Sequence, residues 1–324
     1  MSNLYNINKI QQAFAIGLLA YDGKFSYAQG CKPFDGISSY QLKRFLDKEW
    51  DENQKLEDYI KSLDIDWSTG WLMGDDTIIE KPYAEKIECV YWQYSSKNNG
   101  FIEGINLTVL AWTDGKRTIP IRFMVYEKDS EGKAKQTKNE FLEEAVEYAK
   151  NLGIVPEYVC FDSKYSSKSL LNKLQYFNWI YFTQLASNRV FNGKQLKMRR
   201  FQPYAEEGNL KGVGHKVNIT KYCKRYYATN ATGKHITRQY IVKHYRVRWA
   251  IEVLFRSLKQ LCHLQDCQSK YIHTQRHYVF MCIQAFITLQ DQNQKSIYQA
   301  KKLFQQKYLR IKINGNKALR QAAA

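Results

Sequence analysis

The stretch Tyr245-Arg246-Val247-Arg248-Trp249-Ala250-Ile251-Glu252, continuing through Arg256 to Lys259, constrains this chain more than any other. On a period of 3.6 residues, Arg248, Glu252, Arg256 and Lys259 share one face, with Tyr245 one turn earlier. Ile251, Leu254, Phe255, Leu258 and Cys262 form the opposite, apolar face, which must lie on a core. The charged face carries a single carboxylate, and Glu252 is the only glutamate after Glu207. An ordinary i,i+4 ion pair with Arg248 or Arg256 contributes about 0.2–0.5 kcal/mol. The other reading is a metal ligand in a site that grips polyanions.

The surroundings favour the second reading. Residues 161 to 324 carry 30 Lys and Arg against 6 Asp and Glu, a net of +24, whereas residues 1 to 160 carry 19 against 25, a net of −6. Two further carboxylates stand in equally unusual places. Asp162 closes the apolar run Tyr158-Val159-Cys160-Phe161 and is the only acidic residue between Glu157 and Glu206. Asp75 and Asp76 follow Trp71-Leu72-Met73-Gly74 and precede Thr77-Ile78-Ile79, so at least one of them lies on a second buried strand. Aspartate within a strand is disfavoured by propensity and by desolvation. A cation beside it removes the objection, and a metal ion is the economical candidate.

With these residues in view, the chain resembles the DDE transposases of bacterial insertion sequences that carry a Y-(2)-R-(3)-E-(6)-K signature. Tyr245, two residues, Arg248, three residues, Glu252, six residues, Lys259 matches it at all four positions. Gly74-Asp75-Asp76-Thr77 looks like the first-aspartate strand of that family, which assigns the ligand to Asp75. Phe161-Asp162-Ser163-Lys164-Tyr165 looks like the second, although Lys164 stands where the family usually has glycine. The resemblance runs from about residue 60 to 290. It implies catalytic and metal-ligating roles for Asp75, Asp162 and Glu252. It also implies contacts from Tyr245, Arg248 and Lys259 to terminal phosphates, with Arg256 on the same face.

The resemblance further implies an α/β fold, an RNase H-like mixed-sheet catalytic core with a β-rich insertion and an N-terminal helical region. Read locally, residues 1–66 are helical, with a cap at Ser38 or Ser39, and serve either as a reader of DNA ends or as a support for the core. Residues 67–185 hold the first part of the core, with strands near 70–80, 102–113 and 117–126, a helix over 138–151, the Asp162 strand, a helix near 167–176 and a strand through Trp179–Phe182. Over 186–236, short Val-, Tyr- and Thr-rich segments alternate with basic residues, among them Lys197-Met198-Arg199-Arg200 and Lys224-Arg225-Tyr226-Tyr227. Basic residues interleaved with rings suit phosphates and stacked bases. Residues 237–291 complete the core with the Glu252 helix, and 292–324 form a basic tail.

Composition agrees with an intracellular DNA-handling enzyme, which the resemblance places in the bacterial cytoplasm. No signal-peptide pattern or 18-residue apolar run appears, and seven scattered cysteines read as reduced thiols. Cys262, Cys267, His273 and His277 invite a zinc-finger reading, but five residues separate Cys267 from His273 where a finger needs about 12. The two histidines are therefore expected on an ordinary helix.

The chemistry expected is phosphodiester hydrolysis at element ends followed by transfer of the 3′-hydroxyl into target DNA. Two Mg²⁺ or Mn²⁺ ions about 3.5–4 Å apart activate the oxygen nucleophile and neutralise the developing phosphate charge, and such hard cations demand oxygen ligands. Partners would be element-end and target DNA, with a dimer assembled on the ends and no membrane. The competing readings are a metal-dependent nuclease of the same fold without strand transfer, and a non-catalytic DNA-binding derivative.

Overall fold

The computed structural model describes residues 2–34, 36–95, 98–129, 131–290 and 296–307. In chain order these form helices α1 (Ser2–Ala20), α2 (Tyr27–Gly30), α3 (Ser39–Asp47) and α4 (Glu52–Lys61), then strands β1 (Trp71–Glu80), β2 (Tyr91–Ser95), β3 (Gly100–Thr113) and β4 (Thr118–Val125). Next come α5 (Lys138–Asn151), β5 (Tyr158–Phe161), α6 (Lys168–Tyr176) and β6 (Tyr181–Leu185). Strands β7 (Val190–Phe191), β8 (Lys194–Gln195), β9 (Glu206–Asn209), β10 (Lys216–Tyr222) and β11 (Arg225–Thr229) follow. Last are α7 (Arg238–Tyr245), a 3-10 turn over Arg246–Arg248, α8 (Trp249–Leu261) and α9 (Ile272–Gln290).

The chain divides into two compact units. Leu56–Thr77 and Asn106–Val253 form one, and Met1–Lys55, Ile78–Ile105 and Leu254–Ala324 form the other.

A mixed sheet runs in the order β2-β3-β1-β5-β6-β11-β10-β9, with β4 also against β3. β5 is parallel to β1 and to β6, whereas β11, β10 and β9 continue from β6 by antiparallel pairing. Local chemistry explains the elements around the parallel strands. The four residues of β5 are apolar and all buried, as suits a strand covered on both faces. Thr137 caps α5, its side chain accepting from the Glu140 N–H while Glu140 returns to the Thr137 N–H at 2.8 Å. Phe141, Leu142, Ala145, Val146 and Ala149 then recur at helical spacing and are buried. Pro120 lies on β4, which among the described residues pairs only with β3, so its missing N–H costs no second ladder.

Segment 186–236 is β-rich, and three of its strands, β9 to β11, extend the main sheet, while β7 and β8 pair with each other. The periodic face around Glu252 is not one continuous helix. Tyr245 ends α7, Arg248 closes the 3-10 turn, and Glu252 lies in the first turn of α8.

In the other unit, Ser38 caps α3 with a capping box to Gln41, and the helix buries Leu42, Phe45 and Leu46. α9 is buried on almost every side, and His273 and His277 both lie on it. The His277 ring stacks on Trp50 at 3.7 Å, and its two nitrogens face the carbonyls of Leu46 at 2.7 Å and Trp50 at 2.9 Å. All seven cysteines are free thiols. Of the expected basic tail, 292–295 and 308–324 lie outside the described residues. Residues 297–307 are helical, with Ala300, Lys301 and Phe304 buried and the Lys301 ammonium donating to the Leu261 carbonyl at 2.8 Å. That stretch is therefore docked, not a loose tail, because its apolar positions have a core to cover.

Candidate active site

The site begins midway along β1, at the level where β5 ends. The two strands are in parallel register from Trp71↔Tyr158 to Gly74↔Phe161, so Asp75 and Asp162 are the next residues on adjacent strands. Gly74 permits this approach: a Cβ there would lie 2.5 Å from the Phe161 ring and 2.8 Å from Leu142 Cδ2. Consecutive residues of a strand point to opposite faces, and the two aspartates of β1 have different neighbours. Asp75 meets Arg248, whereas Asp76 meets Asn106, Lys138, Lys164 and Tyr165.

The chain between α7 and α8 supplies the third side. Arg248 donates from Nη1 to Asp75 Oδ2 and from Nη2 to Glu252 Oε1, so one guanidinium bridges two carboxylates. Tyr245 is buried, with its ring edge-on to Tyr227 at 5.1 Å and the Arg248 guanidinium 5.9 Å from its centre. The Asp162 carboxylate accepts from the backbone N–H of Ser163 and from its hydroxyl at 2.9 Å. A cleft of about 470 Å³ opens here, lined by Asp162, Ser163, Lys224, Arg225, Arg248 and Glu252 among others. Lys224 and Arg225 reach it through the turn between β10 and β11, where Cys223 and Lys224 both take positive φ.

The remaining two candidates lie further along α8. Arg256 is exposed, and Lys259 donates to the Ile78 carbonyl of β1 at 2.7 Å. Of the seven residues expected from sequence, Asp75, Arg248 and Glu252 are linked by direct ion pairs. Asp162 lines the same cleft as Arg248 and Glu252, and Tyr245 packs behind Arg248.

Burial pushes the Asp75 carboxyl up to about 6, against the opposing pull of Arg248; the charges of Asp76 and Asp162 add to the rise. Asp76 behaves oppositely. Burial would raise it, but the ammoniums of Lys138 and Lys164 outweigh burial and hold it well below the usual carboxylate range. One strand thus presents a carboxyl short of positive charge on one face and a saturated one on the other.

This geometry sits inside the region where the chain matches a family model. The match is to the transposase DDE domain and covers residues 63–288, well over half of the chain. The chain belongs to that family. No curated protein matches it.

For a transposase DDE domain the mixed α/β sheet is the RNase H-like core, and its substrate is DNA. No helix among the described residues is long and apolar enough to cross a membrane. Transposases of this kind generally use divalent metal ions, and the donor set fits them. Asp75, Asp162 and Glu252 supply only oxygen, as hard cations require, and Asp75 and Glu252 already share a cation in Arg248. As arranged, no three acidic, His or Cys groups among the described residues surround a point that could hold an ion. Arg248 would have to yield for the three carboxylates to close on one.

Sequence reasoning did not find Asn106 and Lys138, which hold Asp76 from β3 and from the first residue of α5. No spacing signal joins them to Asp76. Their relation exists only in the folded chain.

Proposed function

We propose that this transposase cuts phosphodiesters at the ends of an insertion sequence and transfers the 3′-hydroxyl into target DNA, as a member of the YREK-signature group found in bacteria. The observation that carries this reading is the meeting of Asp75, midway along β1, with Asp162, just past the end of the neighbouring β5, and the joining of Glu252 to Asp75 through Arg248.

On this reading Asp75, Asp162 and Glu252 are the catalytic carboxylates and would hold two Mg²⁺ or Mn²⁺ ions. The ions would supply activation of an oxygen nucleophile and neutralisation of charge on the phosphate. The remaining work belongs to the chain's own side chains. Arg248 offers a planar fork for a phosphate beside the carboxylates, and Tyr245 backs it from below. Lys224 and Arg225 face the same cleft and extend the cationic surface along the DNA. Arg256 and Lys259 would meet phosphates further along α8. Residues 67–185 and 237–291 would form the catalytic core, 186–236 the β-rich insertion, and 1–66 the N-terminal helical region. The protein would work in the bacterial cytoplasm as a dimer assembled on two element ends.

The test is a duplex carrying the terminal sequence that flanks this reading frame, incubated with full-length protein and Mg²⁺. Nicking that requires metal, followed by joined products with a second duplex, is the expected outcome. Nicking without joining identifies a nuclease of the same fold, and binding without nicking identifies a non-catalytic derivative.

A further inference from the structure

Asp76 has both oxygens engaged. Oδ1 accepts from the Lys164 ammonium at 2.8 Å and from the Tyr165 hydroxyl, and Oδ2 accepts from the Lys138 ammonium at 2.8 Å and from Asn106 Nδ2 at 2.7 Å. An ionised carboxylate has about four lone-pair directions, so these four donors leave none for a metal. The residue is a fixed anion whose contacts are all internal.

Two of the four donors belong to the turn that begins at Asp162. The Tyr165 N–H donates to the Asp162 carbonyl at 3.0 Å, and the Ser166 hydroxyl donates to the same carbonyl at 2.9 Å. The Tyr165 ring is buried. Asp76 therefore grips one side of a tight turn whose other side presents the Asp162 carboxylate to the cleft. Through its ammonium, Lys164 gives the turn a second tether to Asp76 beside the Tyr165 hydroxyl. Lys138 and Asn106 fix the opposite edge of the Asp76 carboxylate, so the anchor itself cannot swing.

We propose that Asp76 is a positioning residue that acts through Lys164 and Tyr165 to set the orientation of Asp162 toward Asp75 and Glu252. The proposal rests on the catalytic reading of Asp162 given above. Loss of the anchor leaves Asp162 present but free to turn with its loop. The effect should fall on metal affinity and turnover, not on DNA binding.

The experiment compares Asp76→Asn, Tyr165→Phe, their double variant and Asp162→Asn in the full-length protein. It measures kcat and KM for Mg²⁺-dependent nicking of the flanking-sequence duplex, Mn²⁺ binding by electron paramagnetic resonance, and thermal unfolding. Asp76→Asn is expected to lower kcat and to weaken Mn²⁺ binding, each by about 10–100-fold, with KM unchanged. Tyr165→Phe should do the same more mildly. The double variant should be no worse than Asp76→Asn alone, since both act through one contact. Asp76→Asn within about twofold of wild type in kcat and Mn²⁺ binding, beside an inactive Asp162→Asn, overturns the proposal alone. Losses that multiply in the double variant also overturn it. An active Asp162→Asn instead removes the catalytic reading beneath it. Should Asp76→Asn fail to fold, Tyr165→Phe, which removes only a hydroxyl, decides. Reduced kcat and Mn²⁺ affinity at constant KM supports the anchor, and wild-type values of both refute it.

Discussion

Asp75 and Asp162 occupy the same level of two parallel strands, one residue beyond the pair Gly74↔Phe161. Residues in register on neighbouring strands share a face of the sheet, which is why Asp75, and not Asp76, is turned toward the Arg248–Glu252 pair. Asp75→Asn should therefore abolish cleavage, with a loss beyond the about 10–100-fold expected of Asp76→Asn. Single-turnover nicking rates of the two purified variants check the ranking. The reverse order would place the strand one residue out of register.

Arg248 and Glu252 make the second prediction. If Glu252 is a metal ligand, as proposed, replacing it by Gln removes the ligating charge without touching a phosphate contact, so cleavage should vanish while DNA affinity stays near wild type. Arg248→Ala is different in kind. It leaves Asp75 and Glu252 without their shared cation, and breaking a largely buried pair costs about 3–5 kcal/mol; the half-open side of Glu252 places this case at the low end. Metal-free Arg248→Ala should thus unfold at lower temperature than wild type. Added Mg²⁺ should recover more stability in the variant than in wild type, because nothing competes for the carboxylates. Equal Mg²⁺ effects on both proteins would show that Arg248 does not stand in for a metal.

The third prediction follows from the raised Asp75 pKa. An acid that binds its proton more tightly when folded loses folded stability as pH rises from its unfolded to its folded pKa. For Asp75 that window lies between 3.8 and about 6, and the loss is complete above it. Roughly two pH units correspond to roughly 3 kcal/mol as an upper value. Asp75→Asn cannot ionise, so its stability relative to wild type, metal-free, should grow across this window and stay level above about pH 7. Denaturant unfolding of both proteins at a series of pH values measures the difference. A gap independent of pH means that Asp75 titrates as an ordinary carboxylate.

The parts of this fold that were legible in sequence are those fixed by neighbours in the chain. α5 announces itself through the Thr137 cap, Glu140 three residues on, and an apolar stripe from Phe141 to Ala149. Asp162 is visible because it ends a four-residue apolar run, and Glu252 because α8 is amphipathic. The break at Arg246–Arg248 is hidden, since the apolar period continues through it and only the path of the backbone departs. β2 is hidden too: it is five residues long and its ladder is made entirely with Gly100–Gly104 of β3. The Asp76 anchor is the extreme case. Its partners lie 30, 62, 88 and 89 residues away, so no window along the chain contains the cluster.

The last prediction concerns where DNA is held. The net of +24 beyond residue 160 points to affinity dominated by counterion release, with a slope of log K against log salt of about −0.9 per phosphate contact on duplex DNA. Cutting the chain at residue 160 cannot test this, because the two compact units interleave and both would be broken. Single substitutions in the full-length protein can. Lys224→Ala and Arg225→Ala, in the cleft beside Asp162 and Glu252, should each weaken binding and reduce the slope by about one contact, similarly for every DNA sequence. Lys61→Ala, which only frees the exposed end of an ion pair to Glu57, should change neither. If Lys61→Ala and Lys224→Ala gave the same slope as wild type, the cleft would not be where the phosphates run, and the acidic first half would have to supply a specific reader of the element ends.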